Sequence, residues 1–224
     1  FHFHLLSDIH QFSVHPFLAF QRMMRHRENR KEKEYTIRFL THEDYLKVNL
    51  KGFKILYDVG DKDTYVIRIN TKDTNELFDI AKSKNVPFTI HAGEADGPES
   101  IRDAVSFGTS RIGHCFSLTQ DEELYKEVKD KSILIESCPI SNLKTNTLKD
   151  VKNHPIKKFF EDGLNVCVNS DDMTVQKSTL KDEYELLKNE LDFSYKDMIK
   201  LNINAIKSSF MNEEDKVKYK WVFF

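Results

Sequence analysis

With 224 residues, 39% of them hydrophobic and 31% charged, the chain reads as a single soluble globular domain with a sizeable core. It is slightly short of the roughly 250 residues typical of a complete (β/α)8 barrel. A formal net charge of −2 gives no electrostatic case for a nucleic-acid partner, and the absence of any run of about eighteen apolar residues argues against a membrane-spanning helix.

The N-terminus opens Phe1-His2-Phe3-His4-Leu5. Aromatic and histidine alternate, so on a strand both histidines face one side. Such a pair is a good start for a metal site, although a histidine-rich end without a role is the commoner meaning. The segment lacks the basic start and small-residue cleavage site of a secretory signal, and Phe1 is not a start methionine, so a segment upstream is expected. Residues 11–20 and 22–25 are short apolar pieces. Residues 25–34 form a run of mixed charges, which suits a solvated helical face.

Residues 52–60 read as a buried strand ending in Gly60. Residues 73–84 place Leu77, Phe78, Ile80 and Ala81 on one helical face. A strand over 86–91 follows, ending His91-Ala92-Gly93-Glu94, and Pro98 opens a helix through Phe107. A strand over 110–115 ends in His114. Residues 121–130 form an amphipathic helix, 132–137 a strand, and 138–142 a loop. A helix from His154-Pro155 stops at Gly163. The last strand, 164–168, runs into Asn169-Ser170-Asp171-Asp172. Helices over 180–191 and 194–210 and a charged tail from Asn212 close the chain. From residue 52 strand and helix alternate five times, the mark of a parallel sheet with crossover helices. The expected fold class is α/β, a TIM-type (β/α)8 barrel whose first strands and crossover helices are abbreviated or missing, with residues 1–224 as one domain.

Several strand ends therefore carry polar chemistry: Gly60, His91 with Glu94, His114, and Asp171 with Asp172. Any one of them is more often structural. In a parallel barrel, however, these ends converge on one face, where active sites lie. Three histidines and a carboxylate suit a borderline metal such as zinc with a position left for water. Cys115, Cys138 and Cys167 lie in or beside apolar runs. They read as buried thiols in a reducing compartment, by default the cytoplasm.

The stretch His91-Ala-Gly-Glu94-Ala-Asp-Gly-Pro-Glu-Ser resembles the signature of the adenosine deaminase family, within the metal-dependent amidohydrolase superfamily. The other matching motifs are Ser110-Arg111-Ile112-Gly113-His114, Glu136-Ser137-Cys138-Pro139-Ile140-Ser141-Asn142 and Val168-Asn169-Ser170-Asp171-Asp172. Together they cover about three quarters of the chain, from about Lys54 onward, and His2-Phe3-His4 resembles the family's opening His-x-His.

The resemblance implies a zinc-dependent hydrolytic deamination of adenosine or 2'-deoxyadenosine to inosine and ammonia. It implies one Zn2+ per chain held by His2, His4, His91 and Asp171, with His4 also near the substrate. Glu94 would donate a proton to N1 of the purine, and His114 would orient the activated water. Asp172 would bond near N7, and Gly60 would bring its backbone against the ring. The partner would be a small purine nucleoside rather than nucleic acid or membrane. Ala95-Asp96-Gly97-Pro98 favours the adenosine branch over the adenine and adenosine-monophosphate branches.

The match departs from the family at Leu6 and Ser7, where the family has aspartate or threonine and then glycine, and at Met173, where proline is usual. Residues 1–25 are also too few for three consecutive parallel strands, because each crossover needs about a dozen residues. Either those crossovers are deleted or further segments exist in the molecule. Two alternatives to the active enzyme follow: an incomplete, catalytically impaired relative, and a related amidohydrolase that acts on another purine.

Overall fold

The structure, a computed structural model, describes residues 19–21, 33–39, 54–61, 64–71, 74–83, 85–95 and 97–220. Among these described residues there are two four-stranded sheets. The first is antiparallel and comprises β1 (Ala19–Gln21), β2 (Lys33–Phe39), β3 (Lys54–Asp61) and β4 (Thr64–Thr71), in the order β1-β2-β4-β3. The second carries the chemistry. Its strands β5 (Thr89–Ala92), β6 (Arg111–His114), β7 (Leu134–Ser137) and β8 (Val166–Val168) are all parallel and lie in sequence order. β1 lies alongside β5.

The expected alternation therefore starts one unit later than residue 52. Strand β3 pairs antiparallel with β4 from Asp61↔Thr64 onward. Only two residues separate these strands, far short of the dozen or so that a parallel crossover needs.

Helices cover one face of the parallel sheet. Helix α1 (Thr74–Ser83) leads into β5, α2 (Pro98–Ser106) joins β5 to β6, and α3 (Glu122–Asp130) joins β6 to β7. Between β7 and β8 run α4 (Pro139–Lys144) and α5 (Ile156–Glu161). After β8 come α6 (Met173–Gln176), α7 (Leu180–Glu190), α8 (Tyr195–Lys207) and α9 (Glu213–Lys220).

Two sequence expectations change here. The charge run read as a helical face ends in strand instead, because Lys33 to Phe39 pair along their whole length with β4. Residues 138–142 are mostly helix rather than loop, because Pro139 sits in the first turn, where its missing N–H costs nothing. The charged tail forms the last closing helix, with Glu213, Glu214 and Asp215 in its first turn, where acidic side chains favour the helix dipole. The starts of α7 and α8 follow sequence chemistry. Thr179 with Asp182, and Ser194 with Asp197, each form a capping box.

The core lies between the parallel sheet and its helices. Ile90, Ile112, Ile135 and Val166, one from each strand, are fully buried. They pack with Phe78, Ile101, Leu124, Phe159 and Leu187 from the helices. Strand residues of this sheet are apolar toward the helices, as expected of parallel strands buried by crossovers. Phe78 stacks on Phe107 at 4.5 Å between ring centroids. The three cysteines are free and buried. Burial pushes the Cys167 thiol up to about 12, so it stays protonated. No helix among the described residues is long and apolar enough to cross a membrane.

Candidate active site

Because β5 to β8 are parallel, their C-terminal ends share one edge of the sheet, and the polar residues gather there. The backbone at this edge turns sharply. His114, Cys115 and Asp171 have φ of 66°, 56° and 53°, in the left-handed region that non-glycine residues seldom adopt. Such outliers cluster at functional sites because the surrounding structure holds them. Here the hold is visible. Cys115 N–H donates to Ala92 O at 3.0 Å, and Ser117 N–H donates to Gly93 O at 2.8 Å, so the segment after β6 is tied to the end of β5. Gly93 N–H donates to Ser100 Oγ at 2.8 Å, and Ser100 Oγ donates to Gly97 O at 2.9 Å. The first turn of α2 thus closes the loop that carries Glu94.

His91 is placed by its neighbour strand. The ladder pairs His91 with Gly113, and the imidazole lies over that glycine. A Cβ there would come within 2.6 Å of His91 Cδ2. His91 also meets His114 edge-on, with ring centroids 4.9 Å apart. One residue layer below, Thr89 Oγ1 donates to Glu136 Oε2 at 3.2 Å, and Arg111 is ion-paired with Glu136. Burial holds His91 below the usual histidine range, and the neighbouring His114 adds to this. Both factors favour a neutral ring, the form that binds metals.

Glu94 and His114 face each other, with His114 Nε2 3.4 Å from Glu94 Oε2. Burial raises the Glu94 carboxyl above its ordinary value, and the nearby His91 works against that rise. Burial also lowers His114, against the pull of Asp171 and Glu136. The pair therefore has an acid that holds its proton unusually well beside an imidazole that stays neutral.

Helix α4 supports two parts of the site with adjacent residues. Asn142 Nδ2 donates to Glu94 Oε1 at 3.1 Å, and Ser141 Oγ donates to Asp171 Oδ2 at 2.7 Å. The helix itself is capped from behind. Ile140 N–H donates to the buried Glu183 carboxyl at 3.1 Å, and burial lifts Glu183 to about 8.

The structure brings together His91, Glu94, His114 and Asp171. It places Asp172 beside them as the cap of α6, where its Oδ1 accepts from Thr174 and Val175 N–H at 3.0 and 2.9 Å. It does not bring in Gly60, which lies on β3, paired with Tyr65 of β4, at the opposite edge of the antiparallel sheet from β1. His2 and His4 lie outside the described residues. Among the described residues no three His, Cys, Asp or Glu side chains gather as a metal cage. A neutral imidazole and an exposed carboxylate, His91 and Asp171, are the donor types a zinc site uses. The described part fits one side of such a site and leaves the other to residues elsewhere.

Sequence reasoning missed Ser100, Ser141, Asn142 and His154 as site residues. Three of them stand inside stretches already singled out by motif, and His154 stands where a helix start was expected. The signal present was adjacency to known motif residues.

The chain matches the adenosine deaminase family model over residues 19–220. It is 39% identical over 146 residues to an adenosine deaminase of Haemophilus ducreyi, which covers 65% of this chain and 42% of that protein. It is 31% identical over 189 residues to the adenosine deaminase of Enterococcus faecalis, with 84% and 54% covered. Among solved structures, an adenine deaminase from Arthrobacter aurescens superposes with a TM-score of 0.64 at 27% identity, over 66% of this chain and 46% of that one. The N6-methyl-AMP deaminase of Arabidopsis thaliana gives 0.60 at 26%, with 65% and 42% covered. The chain spans about half the length of these curated relatives.

Proposed function

Since the chain belongs to the adenosine deaminase family and shares its TIM-type α/β fold, we propose that it forms part of a hydrolytic deaminase that converts adenosine or 2'-deoxyadenosine to inosine or deoxyinosine and ammonia. The observation that carries this reading is the facing pair Glu94 and His114, 3.4 Å apart, on the same sheet edge as His91 and Asp171.

Deamination at C6 of a purine needs a proton delivered to N1 as water adds. A general acid for that step must hold its proton at working pH. Glu94, whose burial raises its pKa, is suited to the task. His114, neutral and hydrogen-bonding, orients the attacking water and stabilises the charge that develops on it. Asp172 contacts the purine near N7 through the carboxylate oxygen that the α6 cap leaves over. His91 and Asp171 would hold a zinc ion together with His2 and His4, with His4 also against the substrate. One zinc per chain would supply a bound water ionised near neutral pH. One domain over residues 1–224 and the cytoplasm, where buried free thiols persist, fit this reading.

The test is ammonia release by the zinc-supplemented protein on adenosine, 2'-deoxyadenosine, adenine, AMP and N6-methyl-AMP. The last three belong in the set because structural relatives include an adenine deaminase and an N6-methyl-AMP deaminase. Turnover of the nucleosides above the rest supports the proposal. Preference for another purine would reassign the substrate. No turnover on any of them would overturn the activity and favour an impaired relative.

A further inference from the structure

The Glu94–His114 pair hangs on a chain of hydrogen bonds whose direction is fixed at its far end. Ile156 N–H, at the start of α5, donates to His154 Nδ1 at 3.1 Å. A backbone N–H can only donate, so Nδ1 accepts and the ring proton of neutral His154 is on Nε2. His154 is buried, which pushes its pKa down to about 3 and keeps it neutral. Its ring is braced edge-on by Phe116, with centroids 5.8 Å apart.

His154 Nε2 lies 3.1 Å from Asn142 Oδ1. The N–H needs an acceptor, so this contact sets which end of the Asn142 amide is oxygen. The Asn142 nitrogen then faces two acceptors, Glu94 Oε1 at 3.1 Å and His114 Nδ1 at 3.4 Å. An amide nitrogen carries two hydrogens, one for each. Because His114 Nδ1 accepts, the His114 proton is on Nε2, the nitrogen that faces Glu94 Oε2. Each oxygen of Glu94 now meets an N–H from the protein. The acid proton is left to the lone-pair positions turned away from those donors.

We propose that His154 and Asn142 are positioning residues that act as a relay: His154 orients the Asn142 amide, and that amide fixes both the Nε2–H tautomer of His114 and the rotation of the Glu94 carboxyl. The effect on turnover rests on the deaminase reading, but the hydrogen-bond directions do not.

The experiment is long-range 1H–15N NMR of the histidine rings in the whole chain, metal-free, with kinetics of the zinc-loaded protein beside it. In the unmodified protein both His154 and His114 should show the Nε2–H pattern. In His154→Phe and in Asn142→Leu, His114 should lose that single tautomer. His154→Gln, whose amide can still donate to Asn142, should restore it. In turnover, His154→Phe should lower kcat by about 10- to 100-fold with little change in KM, and His154→Gln should recover most of that loss. An Nδ1–H pattern at His114 in the unmodified protein would overturn the relay without any variant having to fold. So would an unchanged His114 pattern in His154→Phe. Absence of turnover on every purine would sink the deaminase reading while the NMR still decides the relay.

Discussion

The imidazole of His91 occupies the space that a side chain on Gly113 would need. The strand register places the two residues opposite each other, and a Cβ on Gly113 would lie 2.6 Å from Cδ2 and 3.0 Å from Nε2 of the ring. Gly113→Ala must therefore displace His91 rather than the backbone. We expect the folded variant to bind zinc at least about tenfold more weakly, the range seen when support for a metal ligand is removed. Zinc titration of the purified variant measures this. Unchanged affinity would mean that His91 is not a zinc ligand.

Glu94→Gln should fold and bind zinc normally and lose turnover by about 100-fold or more, because the amide keeps shape but cannot supply a proton. The wild-type pH profile should show the same group. Burial raises the Glu94 pKa, so the acid is present below that value, and kcat/KM falls as pH rises through it. Near-normal turnover in Glu94→Gln would remove this residue from the mechanism.

Glu183 makes stability depend on pH. Its carboxyl is fully buried and lifted from 4.5 to about 8 in the folded protein. The folded state thus binds the proton more tightly than the unfolded state does. The stabilisation is complete below about pH 4.5 and is lost as pH climbs toward 8. Glu183→Gln keeps an acceptor for Ile140 N–H and has no proton to lose. Urea midpoints measured from pH 5 to 8 should fall less in the variant than in the wild type. Parallel curves would show that Glu183 does not titrate in this window.

Gly93→Ala should destabilise the protein by roughly 1–3 kcal/mol, from the backbone conformation alone. Gly93 has φ of +73°, and a Cβ would meet Ile101 Cδ1 at 2.4 Å and Ser117 Oγ at 2.9 Å. The urea midpoint reads the effect, and an unchanged midpoint would mean that the loop after β5 relaxes freely.

The parts of this site that were legible in the sequence are those that a strand delivers by itself. His91, Glu94, His114 and Asp171 each follow a short apolar run that turns at once into polar residues, so strand and side chain are announced together. Asn142 and His154 are different. Asn142 is 48 residues from Glu94, and His154 reaches it across α4 and the segment that follows. Only the fold makes that contact, and no periodicity reports it. The helix at Pro139 was hidden because proline after cysteine reads as a breaker, although the first turn of a helix tolerates it. The hairpin of β3 and β4 was hidden because two apolar runs look alike whether the chain returns beside itself or crosses over.

The seat of His91 also gives a spectroscopic handle on folding. An imidazole lying across Gly113 imposes its ring current on the two α-protons of that glycine, which should resonate away from ordinary glycine positions. A slip of one residue between β5 and β6 would set Ile112 or His114 opposite His91 and abolish the effect. Two proton signals from one glycine would then distinguish a correctly paired sheet from a merely compact one, in any preparation and before any ligand is added.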